Sequence, residues 1–210
     1  MKKPFTPVYV YPNVKTPVFS GKKVNQKIFR KINDSYIKSS GTWWPAFFPT
    51  LIGLITSGNM KKHNIMTVSC LTVMNRLPFL LGMPIFSQNN PQKKIRPRFT
   101  LGLIKKSKEF AVNIAYIDNR LTQAIRVCGS FSGWDGVDKF EKSGLTPAKA
   151  ECIKSPIIQE CPMNFECKLK KIIDLGSHSW VIGEVVGIHI DGRLADGEKE
   201  MIWRSLPEMK

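Results

Sequence analysis

Between residues 50 and 190 the apolar residues come in short runs, rich in β-branched side chains and bounded by turn residues. This spacing restricts the fold more than any other feature. Such runs suit strands; long helices need apolar positions three and four apart over ten residues or more. Thr50–Thr56 (TLIGLIT) is a continuous apolar run closed by Ser57-Gly58-Asn59, which predicts a buried strand and a turn. His63–Val73 roughly alternates and predicts a second strand, and Pro78–Phe86 a third. Glu109–Tyr116 alternates strictly, sending Phe110, Val112, Ile114 and Tyr116 one way. Lys149–Ile158 reads as a short connection with a strand leading into a turn. Phe165–Ile173 alternates again, and Ser179–Ile190 is a long β run containing Gly183 and Gly187.

Two short helices interrupt the series. Phe99–Lys106 places Phe99, Leu103 and Lys106 on one side, with Thr100 as N-cap. Asp118 is expected to cap a helix carrying Leu121, Ile125 and Cys128, ended by Gly129. Gly129–Gly144 reads as a glycine-containing loop, and Lys93–Arg98 as a basic one. About six strands in hairpin-like succession predict a mainly β fold, a closed or partly closed antiparallel barrel and not a doubly wound sheet.

Charge bears on partners. The chain holds 32 Lys and Arg against 16 Asp and Glu, a formal +16. Half of that excess lies in residues 1–40, which carry nine basic residues and a single acid, Asp34. Pro4, Pro7, Pro12 and Pro17 bar a helix at the start of this segment, while Val24–Ile37 suits a short one. The expected organisation is a basic arm over 1–40, a barrel domain over 41–192 and a polar tail over 193–210. A balance this basic attracts anions: phosphate cofactors, nucleic acid, anionic lipid or acidic proteins. The charge sits in arms and loops while the strands are apolar, so a nucleic-acid-binding barrel stacking bases on Trp43, Trp44 and Phe48 ranks last, and no nucleic-acid partner is expected.

The five cysteines (Cys70, Cys128, Cys152, Cys161, Cys167) include no CxxC pair, and most lie beside apolar residues. They read as free thiols of a reducing cytoplasm. No apolar stretch reaches membrane-spanning length, and Lys2 and Lys3 are not followed by a signal-peptide core, so a cytoplasmic, membrane-free protein is expected.

Two stretches carry candidate chemistry. In the first, Arg98 stands just before a predicted helix N-terminus, with Thr100 in its first turn. Unpaired amides, the helix dipole and a guanidinium together make a seat for phosphate, although an ordinary capped helix beside a basic loop has the same spacing. In the second, Asn64–Cys70 (NIMTVSC), Thr67 and Ser69 share a strand face and could border a flat heteroaromatic ring. His178, in Gly176-Ser177-His178, is a third candidate; His63 and His189 read as ordinary histidines. Neither the histidines nor the cysteines have metal-ligand spacing, so no metal is expected. There is no GxSxG, and Gly129–Gly136 (GSFSGWDG) lacks the Walker lysine.

Taken in order, these stretches resemble the flavin reductase-like family, in its flavoredoxin and ferric-reductase branch. The resemblance runs through His63–Ser69 (Asn-x-Met-Thr), Arg98-Phe99-Thr100 to Ile104, Glu109–Ile114, Asp138-Lys139-Phe140, Gly144-Leu145-Thr146, Glu166–Leu169 and His178 to Val186. It covers about residues 43–190. It departs at Leu77, where the family has a first proline, and at Ser87–Ile95, which looks like an insertion before Arg98.

The resemblance implies an FMN-binding split β-barrel, usually a homodimer with FMN near the subunit interface. It implies that Arg98 and Thr100 hold the phosphate, that Asn64, Met66, Thr67, Val68 and Ser69 lie along the isoalloxazine and ribityl chain, and that His178 sits near the ring. The expected function is electron transfer between NADH or NADPH, or a redox partner, and bound flavin. A flavoredoxin-type carrier served by an acidic electron-transfer protein is the alternative. The flavin does the chemistry in such a protein, so no catalytic side chain is expected beyond it, His178 being the one candidate.

Overall fold

The computed structural model describes residues 51–92, 94–115 and 119–192. The arm over 1–40 with its Val24–Ile37 helix, the Trp43-Trp44 pair, Tyr116, Asp118 and the tail all lie outside the described residues. In chain order come β1 (Leu51–Gly58), β2 (His63–Arg76), β3 (Phe79–Phe86), α1 (Phe99–Ser107), β4 (Glu109–Ile114) and α2 (Asn119–Ser130). A 3₁₀ turn (Gly133–Asp135), α3 (Lys139–Ser143), β5 (Pro147–Ala148), β6 (Ile157–Ile158), β7 (Met163–Asp174) and β8 (His178–Ile190) complete the series.

Six strands close into an antiparallel barrel in the order β1-β2-β3-β8-β7-β4, with β4 returning to β1. The expected barrel is therefore present, and its closure removes exposed sheet edges. Met66, Val68, Leu81, Met83, Ile85, Phe110, Val112 and Val181 fill the interior. α1 belongs to the same core, because Leu101 and Ile104 pack among those strand residues. The buried face of α1 is thus Thr100, Leu101 and Ile104, not the Phe99, Leu103 and Lys106 stripe expected from spacing. Nor does Thr100 cap the helix: Arg98 is the N-cap and no side chain caps the first turn.

A second core lies outside the barrel wall. Leu54 and Ile65, on the outer faces of β1 and β2, pack with Leu121, Ala124 and Cys128 of α2 and with Phe140 of α3. This layer explains why the stretch read as a loop over 129–144 is partly helical. α2 runs through Gly129 to Ser130 instead of stopping there, and Asp138 caps α3 by accepting the Phe140 and Glu141 amides. A third cluster, Ala111 with Ala150, Ile153 and Ile157, covers the outer face of β4. β4 is therefore buried on both faces. Asn113, its one buried polar residue, makes four hydrogen bonds: its amide donates to the Leu54 carbonyl and Thr56 hydroxyl, and its oxygen accepts from the Ile158 N–H and the Asn164 amide.

All five cysteines are free; Cys128, Cys161 and Cys167 are buried and Cys152 is exposed. Cys70 has φ 94°, rare for a non-glycine residue, beside the register shift at Leu51/Ile52 where β1 pairs β2. Replacing Cys70 with glycine should relieve that strain and raise stability by about 1 kcal/mol net of glycine's entropy cost. Thermal unfolding would check it, and a lower Tm would show that the thiol's packing outweighs the strain.

Candidate functional site

The N-terminus of α1 gathers the candidates that sequence placed far apart. Asn64, buried near the start of β2, donates its side-chain amide to the Thr100 hydroxyl at 2.6 Å. The Arg98 N–H donates to the Phe86 carbonyl at 3.0 Å, tying the helix start to the end of β3. Phe86 pairs with His178 in the β3–β8 register, and their rings meet edge to face at 5.4 Å. Arg98, exposed, thus stands beside His178. Burial, and then the Arg98 charge, hold the His178 imidazole below its ordinary range. Its Nδ1 lies 2.9 Å from the Ser177 hydroxyl.

The strand candidates divide by parity. Met66 and Val68 point into the barrel core, so contact with a ligand on the barrel surface would come from their backbone. Thr67 and Ser69 take the opposite face, as expected. The Thr67 hydroxyl donates to the Ile125 carbonyl at 2.8 Å and so anchors α2, whereas Ser69 is exposed. Asn64, Thr100, Arg98 and His178 form one neighbourhood, and Thr67 and Ser69 continue along the neighbouring strand.

Two further residues join this neighbourhood. Trp134 donates its indole N–H to the Pro97 carbonyl at 2.9 Å, packs edge to face on Phe99 at 5.0 Å and lies under the Arg96 guanidinium. It braces the loop that carries Arg98. Gly133 beside it has no room for a side chain, since a Cβ there would meet Phe99 at 2.5 Å and Asn64 Oδ1 at 2.7 Å. Lys139, buried at 4% exposure, donates to the Ile65 and Cys128 carbonyls. Neither residue was among the sequence candidates. The only advance signal was the glycine at Gly133 and the Asp-Lys-Phe likeness, and a lysine opening a polar helix ordinarily faces water.

The helix start offers one chemistry: an uncapped N-terminus beside an exposed guanidinium can seat an anion. An open cleft of about 370 Å³ at the other end of α1, bordered by Gly58, Lys62, Lys106 and Lys154, contains none of these groups. Among the described residues, no cluster of three or more His, Cys, Asp or Glu could hold a metal, and no helix is long and apolar enough to cross a membrane.

The flavin reductase like domain matches residues 46–205. The chain belongs to the flavin reductase-like family. An uncharacterized protein of Archaeoglobus fulgidus is 30% identical over 157 residues, covering 75% of this chain and 81% of the relative. Among solved structures, the 2-nitrobenzoate 2-nitroreductase of Pseudomonas fluorescens superposes with a TM-score of 0.62 at 26% identity, covering 91% of this chain and 84% of that one. The flavoredoxin of Desulfovibrio vulgaris superposes at 0.60 with 24% identity, covering 75% and 79%. Membership and the nitroreductase likeness support a flavin-related oxidoreductase. The anion seat fits a cofactor ending in phosphate, because its charge and its amides lie at the surface end of a helix that the barrel core holds in place.

Proposed function

We propose that this flavin reductase-like protein binds FMN at the start of α1 and transfers electrons from NADH or NADPH through it. The observation that carries this reading is the convergence of Asn64, Arg98, Thr100 and His178 on one helix N-terminus with no side-chain cap. One phosphate seat of this size suits a mononucleotide, and the strand leading away from it suits the ring. Arg98 and the helix amides bind the terminal phosphate, the Asn64–Thr100 pair shapes the wall beside it, and the β2 backbone from Met66 to Ser69 borders the ring. His178, held neutral near pH 7, stands at the edge where a hydride donor arrives. The flavin supplies hydride acceptance and onward electron transfer.

The family likeness and the 2-nitrobenzoate 2-nitroreductase support a reductase acting on small electron acceptors. Exposed Val73, Met74 and Leu77 around the β2–β3 turn, with Val186, Ile188 and Ile190 on β8, support a homodimer that buries them. The net charge of +16 supports an acidic protein as electron partner in the cytoplasm.

Purified protein should be yellow or become so with FMN, and anaerobic NADH or NADPH should bleach it within the mixing time. A colourless protein that takes up no FMN would overturn the reading. Binding of FMN without bleaching by either nucleotide would replace the reductase with a carrier. Arg98→Ala should weaken FMN by about 1.5–3 kcal/mol, the size of a charge-assisted phosphate contact, as read by fluorescence titration. Unchanged affinity would remove Arg98 from the site.

A further inference from the structure

The cleft at the C-terminal end of α1 concentrates positive charge without counterions. It holds about 370 Å³ and is bordered by Gly58, Lys62, Leu103, Lys106, Glu109 and Lys154. Its three lysines come from three separate places: the β1–β2 turn, the last turn of α1 and the β5–β6 connection. All three are exposed, and among the described residues none forms an ion pair. Elsewhere on the surface Lys170 pairs with Glu184 and Arg120 with Glu160. The one carboxylate in the cleft is Glu109, and it accepts the Lys154 backbone N–H at 2.9 Å. Lys61, Lys105 and Lys108, also exposed, adjoin these positions in sequence and add charge of the same sign. Six ammonium groups on or beside the border outweigh one carboxylate and the negative end of the α1 dipole.

The backbone holds these positions in place. Asn59 Oδ1 accepts the Lys61 and Lys62 amides, each at 2.9 Å, and the Asn59 N–H donates to the Lys62 carbonyl. Gly58, at φ 100°, permits that turn, since a Cβ there would lie 2.1 Å from the Lys62 carbonyl oxygen. The Ser155 hydroxyl ties the residue after Lys154 to the Gly58 and Glu109 carbonyls. The Lys108 carbonyl accepts the Leu169 N–H at 2.8 Å and fixes the end of α1 to β7. A partner therefore meets an arrangement that is already formed. The border is not charge alone. Leu103 is half-buried there, the lysine stems add methylene groups, and Met60 in the same turn as Lys62 is 45% exposed. A free phosphate would use only the charge, whereas carboxylates flanking an apolar side chain use both. The chain's own ends supply no net negative charge. Residues 1–40 carry nine basic residues and one acid, and in 193–210 Arg193, Lys199, Arg204 and Lys210 balance Asp196, Glu198, Glu200 and Glu208.

We propose that this cleft docks an acidic segment of a partner protein, with carboxylates on Lys62, Lys106 and Lys154 and an apolar side chain against Leu103. The inference names a face for the acidic partner read from the net charge and rests on that partner, not on the flavin. Arg98 stands at the opposite end of α1, about 12 Å away along a helix of this length, so the two sites are separate.

The test is a fluorescence-anisotropy titration of the full-length protein, at low salt, with a labelled peptide of sequence Asp-Glu-Leu-Glu-Asp. The unaltered protein should bind it saturably. Lys62→Gln, Lys106→Gln and Lys154→Gln combined should weaken it about tenfold or more. Arg126→Gln, Lys142→Gln and Lys171→Gln combined remove the same charge from exposed positions elsewhere and should weaken it less than about threefold. Equal losses in the two triple variants would assign the attraction to net charge and overturn the proposal. Absence of saturable binding by the unaltered protein would overturn it too. Tripolyphosphate is titrated in parallel. If it depends on the cleft lysines and the peptide does not, the cleft takes free phosphate and the proposal fails. Glutamine keeps the Lys154 N–H that Glu109 accepts. If the triple variant still does not fold, Lys106→Gln alone decides, with an expected loss of about threefold, and no loss would overturn the proposal. Peptide binding by a protein that takes up no FMN would remove the flavin reading and leave this one standing.

Discussion

Asn113→Ala should lower the unfolding free energy by about 3–5 kcal/mol, enough to abolish folding of a marginally stable barrel. The side chain is fully buried, and its four hydrogen bonds join β1, β6 and β7 to the middle of β4. Truncation takes a partner from the Leu54 carbonyl and from the Ile158 N–H in a dry layer and opens a small cavity between the barrel and the β5–β6 pair. A lost partner costs about 1–3 kcal/mol where no water replaces it. The Asn164 amide keeps the Ile158 carbonyl, and the Thr56 hydroxyl keeps the Pro156 carbonyl, which limits the damage. Chemical denaturation is the direct measurement. A loss under about 1 kcal/mol would mean that water enters the site and satisfies both groups.

Glu166→Gln should cost about 3 kcal/mol at pH 7, and its effect should shrink in acid. The Glu166 carboxylate, with 0% exposure, accepts the Glu151 amide at 2.8 Å and the Cys152 amide at 2.6 Å, and sits 2.5 Å from His189 Nε2. Burial alone would raise its pKa. The hydrogen bond from His189, the two amides and the His189 charge outweigh burial and hold it below the ordinary value of 4.5. A folded-state pKa below the unfolded one stabilises the fold above the unfolded value. That stabilisation disappears as pH falls through 4.5 and then through the lower folded-state value. Wild type and variant should therefore differ most near neutrality and converge once the pH lies below the lowered folded-state value. A difference independent of pH would show that shape, not charge, sets the cost. The same carboxylate anchors the 151–152 turn to β7, so loss of protection there in hydrogen exchange should accompany the stability change.

Much of the barrel was legible because strand parity is a local property. Phe110, Val112 and Ile114 point inward as the alternation required, and the turn residues Ser57-Gly58-Asn59 mark where β1 ends. The helix at 99–107 was equally clear in extent, yet its buried face was misread. Apolar spacing favoured Phe99 and Leu103, but the barrel mouth takes Leu101 and Ile104, with Thr100 turned inward to meet Asn64. The stretch 129–144 read as a loop because its helices are short and polar. They exist because Phe140 and Cys128 cover the outer wall of β1 and β2.

The candidate site shows the same division. Arg98 before a helix start and His178 before a long strand are local signals, and Arg98, Thr100 and Asn64 do converge. Lys139 and Trp134 carried no comparable signal, since their roles come from partners 74 and 37 residues away in sequence.

By itself, then, the sequence determined what depends on neighbours along the chain: the strands, their inward faces, the helix start and the likeness to a flavin-binding family. Which charges would be buried, and beside what, was decided only when the barrel closed and the 119–143 segment folded over it. The physical reason is that burial and electrostatic coupling depend on distance in space, and an isolated stretch of chain does not specify the distance from Lys139 to the Ile65 carbonyl or from Glu166 to His189.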